Sequence, residues 1–341
     1  MNTFSLFKLP NLTAGLRACL AIISIAALNP VMSYASNTHN EHYDKLPLQF
    51  DGYQTLIQQY PKAKYIYPSS FTISKSNDLY IQYIFEPKQK TNVVVKYDKD
   101  RKFSGYALIS NGGRGVGGEG LVIAKSPSGV ESLVAGSNQG KIQFYDLERN
   151  FEGQQLHKNS EVNVGLFNEF AHYKDKWLVE ANDGNMSIQN PRNKLVLLDE
   201  KFNVIKEIEQ PLEYSGFITD FATHDAKQYN KRQGLSLGEN FFISGYGAYY
   251  QLGKPQTLNT YPGYRVFDIN GKLIQDNVSS PSDFFDKKPW LKPYSRIENE
   301  GVFFDPDRNL ISAIYIYLDR KYPELVPKEG VLITYDTYIS R

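Results

Sequence analysis

Four places in the chain put a carboxylate or carboxamide at the start of a hydrophobic run. They are Glu119 before Gly120-Leu121-Val122, Glu169 before Phe170, Gln233 before Gly234-Leu235, and Glu300 before Gly301-Val302. Brought to one mouth, these groups could do three kinds of chemistry. As oxygen ligands, Glu119, Glu169 and Glu300 could hold a hard cation, and calcium is the one cofactor the pattern suits. As donors and acceptors, all four could take the hydroxyls of a sugar. As a carboxylate pair about 5–10 Å apart, two of them could act as acid and base on a glycosidic bond. The plain alternative is that they bond the free backbone amides and waters of a polar channel.

Two other kinds of segment could bind. Gly112–Gly120 (GGRGVGGEG) contains a formal G-x-G-x-x-G, but the residues after it, Leu121–Ala124, read as a strand. A dinucleotide site needs a helix there, whose N-terminus holds the pyrophosphate, so that reading is rejected. What remains is an exposed glycine loop with Arg114 as an anion donor. Downstream, Gly245–Gly263 carries Tyr246, Tyr249 and Tyr250, and Phe284–Arg296 carries Trp290 and Arg296. Rings on long loops over a rigid scaffold suit the C–H faces of sugars; they equally suit loops folded back on the scaffold. The histidines lack metal-ligand spacing, and no nucleophile motif of the G-x-S-x-G kind occurs.

The elements that position these groups repeat. Asn92–Asp98 (NVVVKYD), Gly140–Asp146, Lys194–Asp199, Gly263–Asp268 and Gly330–Asp336 are short strands ending in aspartate. The aspartates lie 48, 53, 69 and 68 residues apart, which suits a four-stranded blade with variable loops. Each aspartate is expected to open a turn by accepting backbone amides two residues on. The fold class predicted is all-β, a five-bladed β-propeller. Block two is expected to end in an outer strand at Phe151–His157. Block five lacks an outer strand, and an open sheet edge is a liability. Leu46–Phe50, or residues near it, is therefore expected to complete the last blade and close the ring.

Composition bounds the rest. The chain has 341 residues and a formal net charge of +1, which favours neither nucleic acid nor an anionic membrane. Ala18–Leu28 is an apolar run too short to span a bilayer, and Ser33-Tyr34-Ala35 offers small residues for cleavage. The expected organisation is a signal peptide at 1–35, a flexible tail at 36–45 and one propeller domain at 46–341. Cleavage would remove Cys19, leaving a secreted or periplasmic protein with neither a membrane span nor a disulfide.

The stretches GGRGVGGEGLVI (112–123), RQGLSLGENFFISGYG (232–247) and RIENEGVFFDPDRNLISAIYIY (296–317) resemble the five-bladed propellers of helveticin J-type bacteriocins and related phage receptor-binding proteins. Arg114-Gly115 stands where those proteins often carry His-Gly. The resemblance implies binding of a cell-envelope glycan or glycopolymer rather than turnover. Two other functions stay open on the residues alone: a glycoside-processing enzyme, and a periplasmic protein-interaction scaffold.

Overall fold

Alternating apolar residues between aspartate turns produce five antiparallel sheets arranged as the blades of a propeller. The computed structural model describes residues 42–112, 120–137, 139–147, 151–181, 194–211, 232–247, 250–251, 262–279, 281–288, 296–318 and 330–338. The chain enters through strand β1 (His42–Pro47) and helix α1 (Tyr53–Gln59). Blade one holds β2 (Tyr65–Ile73), β3 (Leu79–Glu86), β4 (Asn92–Tyr97) and β5 (Phe103–Ile109). Blade two begins with β6 (Leu121–Lys125), β7 (Glu131–Ser137) and β8 (Lys141–Asp146); β9 (Glu152–Gln155) and β10 (Lys158–Asn163) follow. Blade three holds β11 (Phe167–Tyr173), β12 (Lys176–Ala181), β13 (Lys194–Leu198) and β14 (Val204–Glu209). Blade four holds β15 (Arg232–Leu237) and β16 (Phe241–Tyr246), then, after the short β17 (Tyr250–Gln251), β18 (Gly263–Asp268) and β19 (Leu273–Asp276). Helix α2 (Pro281–Lys287) leads to blade five: β20 (Arg296–Asp305), β21 (Leu310–Leu318) and β22 (Gly330–Thr337). Among the described residues no helix is long and apolar enough to cross a membrane.

The innermost strands β2, β6, β11, β15 and β20 pack each against the next, and β20 packs back against β2. Apolar clusters fill the five seams between blades. The turns follow from the aspartates as expected. The Asp98 Oδ1 accepts the amides of Asp100 and Lys102, both at 2.9 Å. Asp199 does the same for Lys201 and Asn203, and Asp268 for Asn270 and Lys272. Asp146 differs. It meets His157 Nδ1 at 3.0 Å and accepts from Asn159 Nδ2 at 2.9 Å, because no hairpin follows it.

That difference marks a correction. The segment after blade two does not form its outer strand at once. Instead β9 adds to the edge of blade one, parallel to β5, and β10 then returns to pair with β8. Phe151 and Leu156 carry the preference, since both are buried in the seam between blades one and two. Gly105 permits it, because an added Cβ there would lie 2.0 Å from the Phe151 carbonyl oxygen.

The ring closes through the N-terminal segment. β1 pairs antiparallel with β22, from His42 opposite Tyr335 to Pro47 opposite Gly330. The strand starts at His42, inside the stretch expected to be a flexible tail. Leu48, Phe50, Tyr53 and Leu56 then fill the seam between blades five and one. A polar latch joins the same two blades. Arg101 Nε donates to Asp44 Oδ2 and to the Tyr335 hydroxyl, each at 3.1 Å, and Tyr335 donates to Asp44 at 2.6 Å. Arg101 also donates to the Asn77 carbonyl at 2.7 Å, which fixes the guanidinium. Asp44→Ala should lower unfolding free energy by about 1–2 kcal/mol, since the latch is only partly buried. Urea titration checks this; an unchanged midpoint would make the latch passive.

Candidate functional site: the propeller axis

The inner strands share one irregularity. β2, β11, β15 and β20 each slip register against their neighbours near the start, at Pro68/Ser70, Phe167/Phe170, Arg232/Leu235 and Asn299/Gly301. Glu169, Gln233 and Glu300 sit in these bulges, so the expected equivalence of their positions holds. Gly120, Gly234 and Gly301 follow with φ of 105°, 110° and 153°. Only glycine lets the inner strands approach so closely: a Cβ on Gly234 would lie 2.6 Å from Gly301 Cα. Phe170 lies over Gly120 and Phe71 over Gly301.

The three described side chains at this end are nearly closed off, with Glu169 at 3%, Gln233 at 2% and Glu300 at 6% exposure. Gln233 Nε2 donates to Glu298 Oε1 at 3.0 Å. Arg114, Glu119, Tyr249 and Trp290 lie outside the described residues, as do the side chains of Tyr250 and Arg296. The backbones of Tyr250 and Gln251 form β17, which pairs with Ile297 and Arg296 on the axial edge of β20. Among the described residues no three His, Cys, Asp or Glu groups cluster as a metal site; Glu119 is not among them.

Tyr246 is not a ring on an open loop. It ends β16 with no exposure, and the Arg265 guanidinium lies 4.9 Å from its ring centre. Beside it Arg232, also fully buried, meets Glu180 at 2.5 Å and donates to Gln210. Burial raises the Tyr246 hydroxyl, opposed by the two guanidiniums. These groups tie blades three and four together.

The opposite end of the axis is open. A cavity of about 1320 Å³ is lined by residues from all five blades where the inner strands finish. β6 lines it along its whole length, from Leu121 to Lys125. There Val122 and Ile123 are half-buried, packed against the seams with blades three and one respectively. Tyr173, Phe303 and His172 add partly exposed rings. Both charges occur on the rim, with Lys75, Lys125 and Lys201 among Glu131, Asp175 and Glu200. Sequence reasoning missed this end because it looked only at strand starts.

His172 packs against Trp177 with ring centres 4.3 Å apart and tilted by 45°, and burial pushes its imidazole from 6.5 down to about 4. The ring is therefore neutral in the fold at neutral pH but protonates in the unfolded chain below about 6.5. The unfolded state binds more protons in that window, so the stability present above pH 6.5 is lost as pH falls towards 4. Melts of wild type and His172→Gln across this range should diverge; parallel curves would exclude the histidine as the cause.

No family model matches the sequence, so the helveticin J resemblance gains no support there, and no curated protein sequence matches it either. Solved structures do match. The tail fibre of Staphylococcus aureus phage P68 aligns at TM-score 0.52 and 12% identity, covering 88% of this chain and 53% of the fibre chain. The chain thus spans about half the length of that protein. A thermostable family-43 glycoside hydrolase aligns at TM-score 0.44 and 11% identity, over 82% of this chain and 92% of its own. An α-L-arabinofuranosidase from Fusarium graminearum aligns at 0.40 and 11%, over 86% and 97%. At such identities the tail-fibre likeness speaks for the fold alone, and the fold is a five-bladed β-propeller.

Proposed function

We propose that this chain is an exported propeller that binds a cell-envelope glycan along its axis without cleaving it. The observation that carries the reading is the axial cavity, open at one end and walled by rings and polar groups from all five blades. Stacking faces with a ring of donors are what a sugar needs. Burial of Glu169 and Glu300 favours binding over hydrolysis, since an acid–base pair must admit a substrate and a water between its members. The signal-like residues 1–35 support export.

Immobilised protein should retain envelope polysaccharide after protease treatment of the fraction. Tyr173→Ala should reduce capture about tenfold by removing one stacking ring, while Glu300→Gln at the closed end should leave capture unchanged. Running each arm with calcium and with a chelator tests the cation expectation. Capture abolished by protease would indicate a protein partner instead, and loss of capture in Glu300→Gln would move the site to the strand starts.

A further inference from the structure

The axial cavity is a cup and not a tunnel. On each inner strand its lining begins at one residue: Phe71 on β2, Leu121 on β6, Ala171 on β11, Leu235 on β15 and Val302 on β20. Each directly follows the irregular strand start, the residue before it being Ser70, Gly120, Phe170, Gly234 or Gly301. The five blades therefore set one floor at one level. Its residues are buried, at 1–6% exposure, whereas Lys75, Lys125, Lys174 and Pro306, farther along four of the same segments, line the rim and are exposed. Beneath the floor the strands meet, because glycine lets backbone and rings come together there. A Cβ would lie 2.6 Å from Gly301 Cα if placed on Gly234, 2.7 Å from the Phe170 ring on Gly120, and 3.2 Å from the Phe71 ring on Gly301. Glu169, Gln233 and Glu300 stand at that level and are nearly shut off from water. The wall from Leu121 to Lys125 gives the cup a depth of at most about 13 Å, at about 3.3 Å per strand residue.

We propose that the cup receives the end of a glycan chain and not a stretch from its middle. The inference rests on the glycan reading and deepens it by naming the part of the polymer that is bound. A tunnel open at both ends can be threaded by a long chain, and an open groove can be crossed by one. A cup closed by five strands admits a chain only tip first. A stretch from the middle would have to double back and lie beside itself inside the cup. A pocket gains affinity from the part of a ligand it surrounds, which here is the few terminal sugars. The rest of the chain stays outside the rim and adds little, however long it is.

Counting protein per chain decides the matter. Protease-treated envelope polysaccharide is separated by length without cleavage, so that every chain keeps its own termini. Each fraction is then saturated with the protein, and light scattering gives the protein bound per chain. That number should be the same in every fraction, so protein bound per unit mass should halve with each doubling of chain length. Calorimetric titration of the same fractions should give one affinity per mole of chains, since long and short chains offer the same tip. Binding per chain that grows in proportion to length would overturn the inference and leave the glycan reading standing. An affinity that climbs with length marks sites repeated along the chain and would do the same. No binding by any fraction would overturn the two together.

Discussion

Removing residues 1–50 should abolish the folded ring, whereas removing residues 1–40 should leave it melting like the full chain. The longer cut takes away β1, and with it the partner of β22 from Gly330 to Tyr335. It also removes Leu46, Leu48 and Phe50, which are 5%, 1% and 6% exposed. Phe50 alone contacts the rings of Tyr53, Tyr83, Phe103 and Tyr106 at centroid distances of 5.2–6.2 Å. Three such buried side chains are worth about 2–4 kcal/mol each, and their sum approaches the about 5–15 kcal/mol that holds a whole domain together. The bare edge of β22 would then be a template for aggregation. The shorter cut ends before the first residue of β1. Circular dichroism melts of the two truncations provide the check, and similar curves would remove the N-terminal strand from the account of closure.

Gly234→Ala should be nearly as damaging. The residue has φ of 110°, and an added Cβ would meet Gly301 Cα at 2.6 Å and Val302 N at 2.8 Å. Those atoms are backbone on the next inner strand, so relief requires moving blade five against blade four. Gly129 separates the two causes of damage, since it also has positive φ, 84°, but nothing lies within 4 Å of its Cβ position. Gly129→Ala should cost only the conformational strain, about 1–2 kcal/mol. Gly234→Ala should cost more than about 3 kcal/mol, strain plus overpacking. Equal losses in urea unfolding would mean that the blades do not touch at the axis.

Much of this was readable in the residues, and the parts that were not share a cause. The aspartate-ended strands gave blade number and order because turn chemistry is local: three of the five aspartates take the same pair of backbone amides. Closure followed from counting strands, although the strand itself begins at His42 and includes the polar residues Asp44 and Lys45. Their polarity read as a tail, yet an outer strand faces solvent and Asp44 serves the latch to Arg101. The exchange of β9 onto blade one was hidden because Phe151 and Leu156 look the same in either blade. Gly105, in the middle of a strand, was the available sign that another backbone passes close by.

The candidate site was legible only by half. Glu169, Gln233 and Glu300 do occupy equivalent bulges, because each stands at the same place at the start of an inner strand. Their burial depends on how five strands converge, which no single strand encodes. The cavity is likewise not encoded in any one strand, since residues from all five blades line it where the inner strands finish. Tyr246 shows the same limit in reverse, since a tyrosine beside a long loop became core once Arg265 stacked on it.

The central claim is that a glycan occupies the axis at the end where the inner strands finish. A crystal structure of the protein with an envelope-derived oligosaccharide tests it most directly. The account predicts sugar density against Tyr173 and Phe303, at the end where the inner strands finish. Density confined to the strand-start end, beside Glu169 and Glu300, would contradict it.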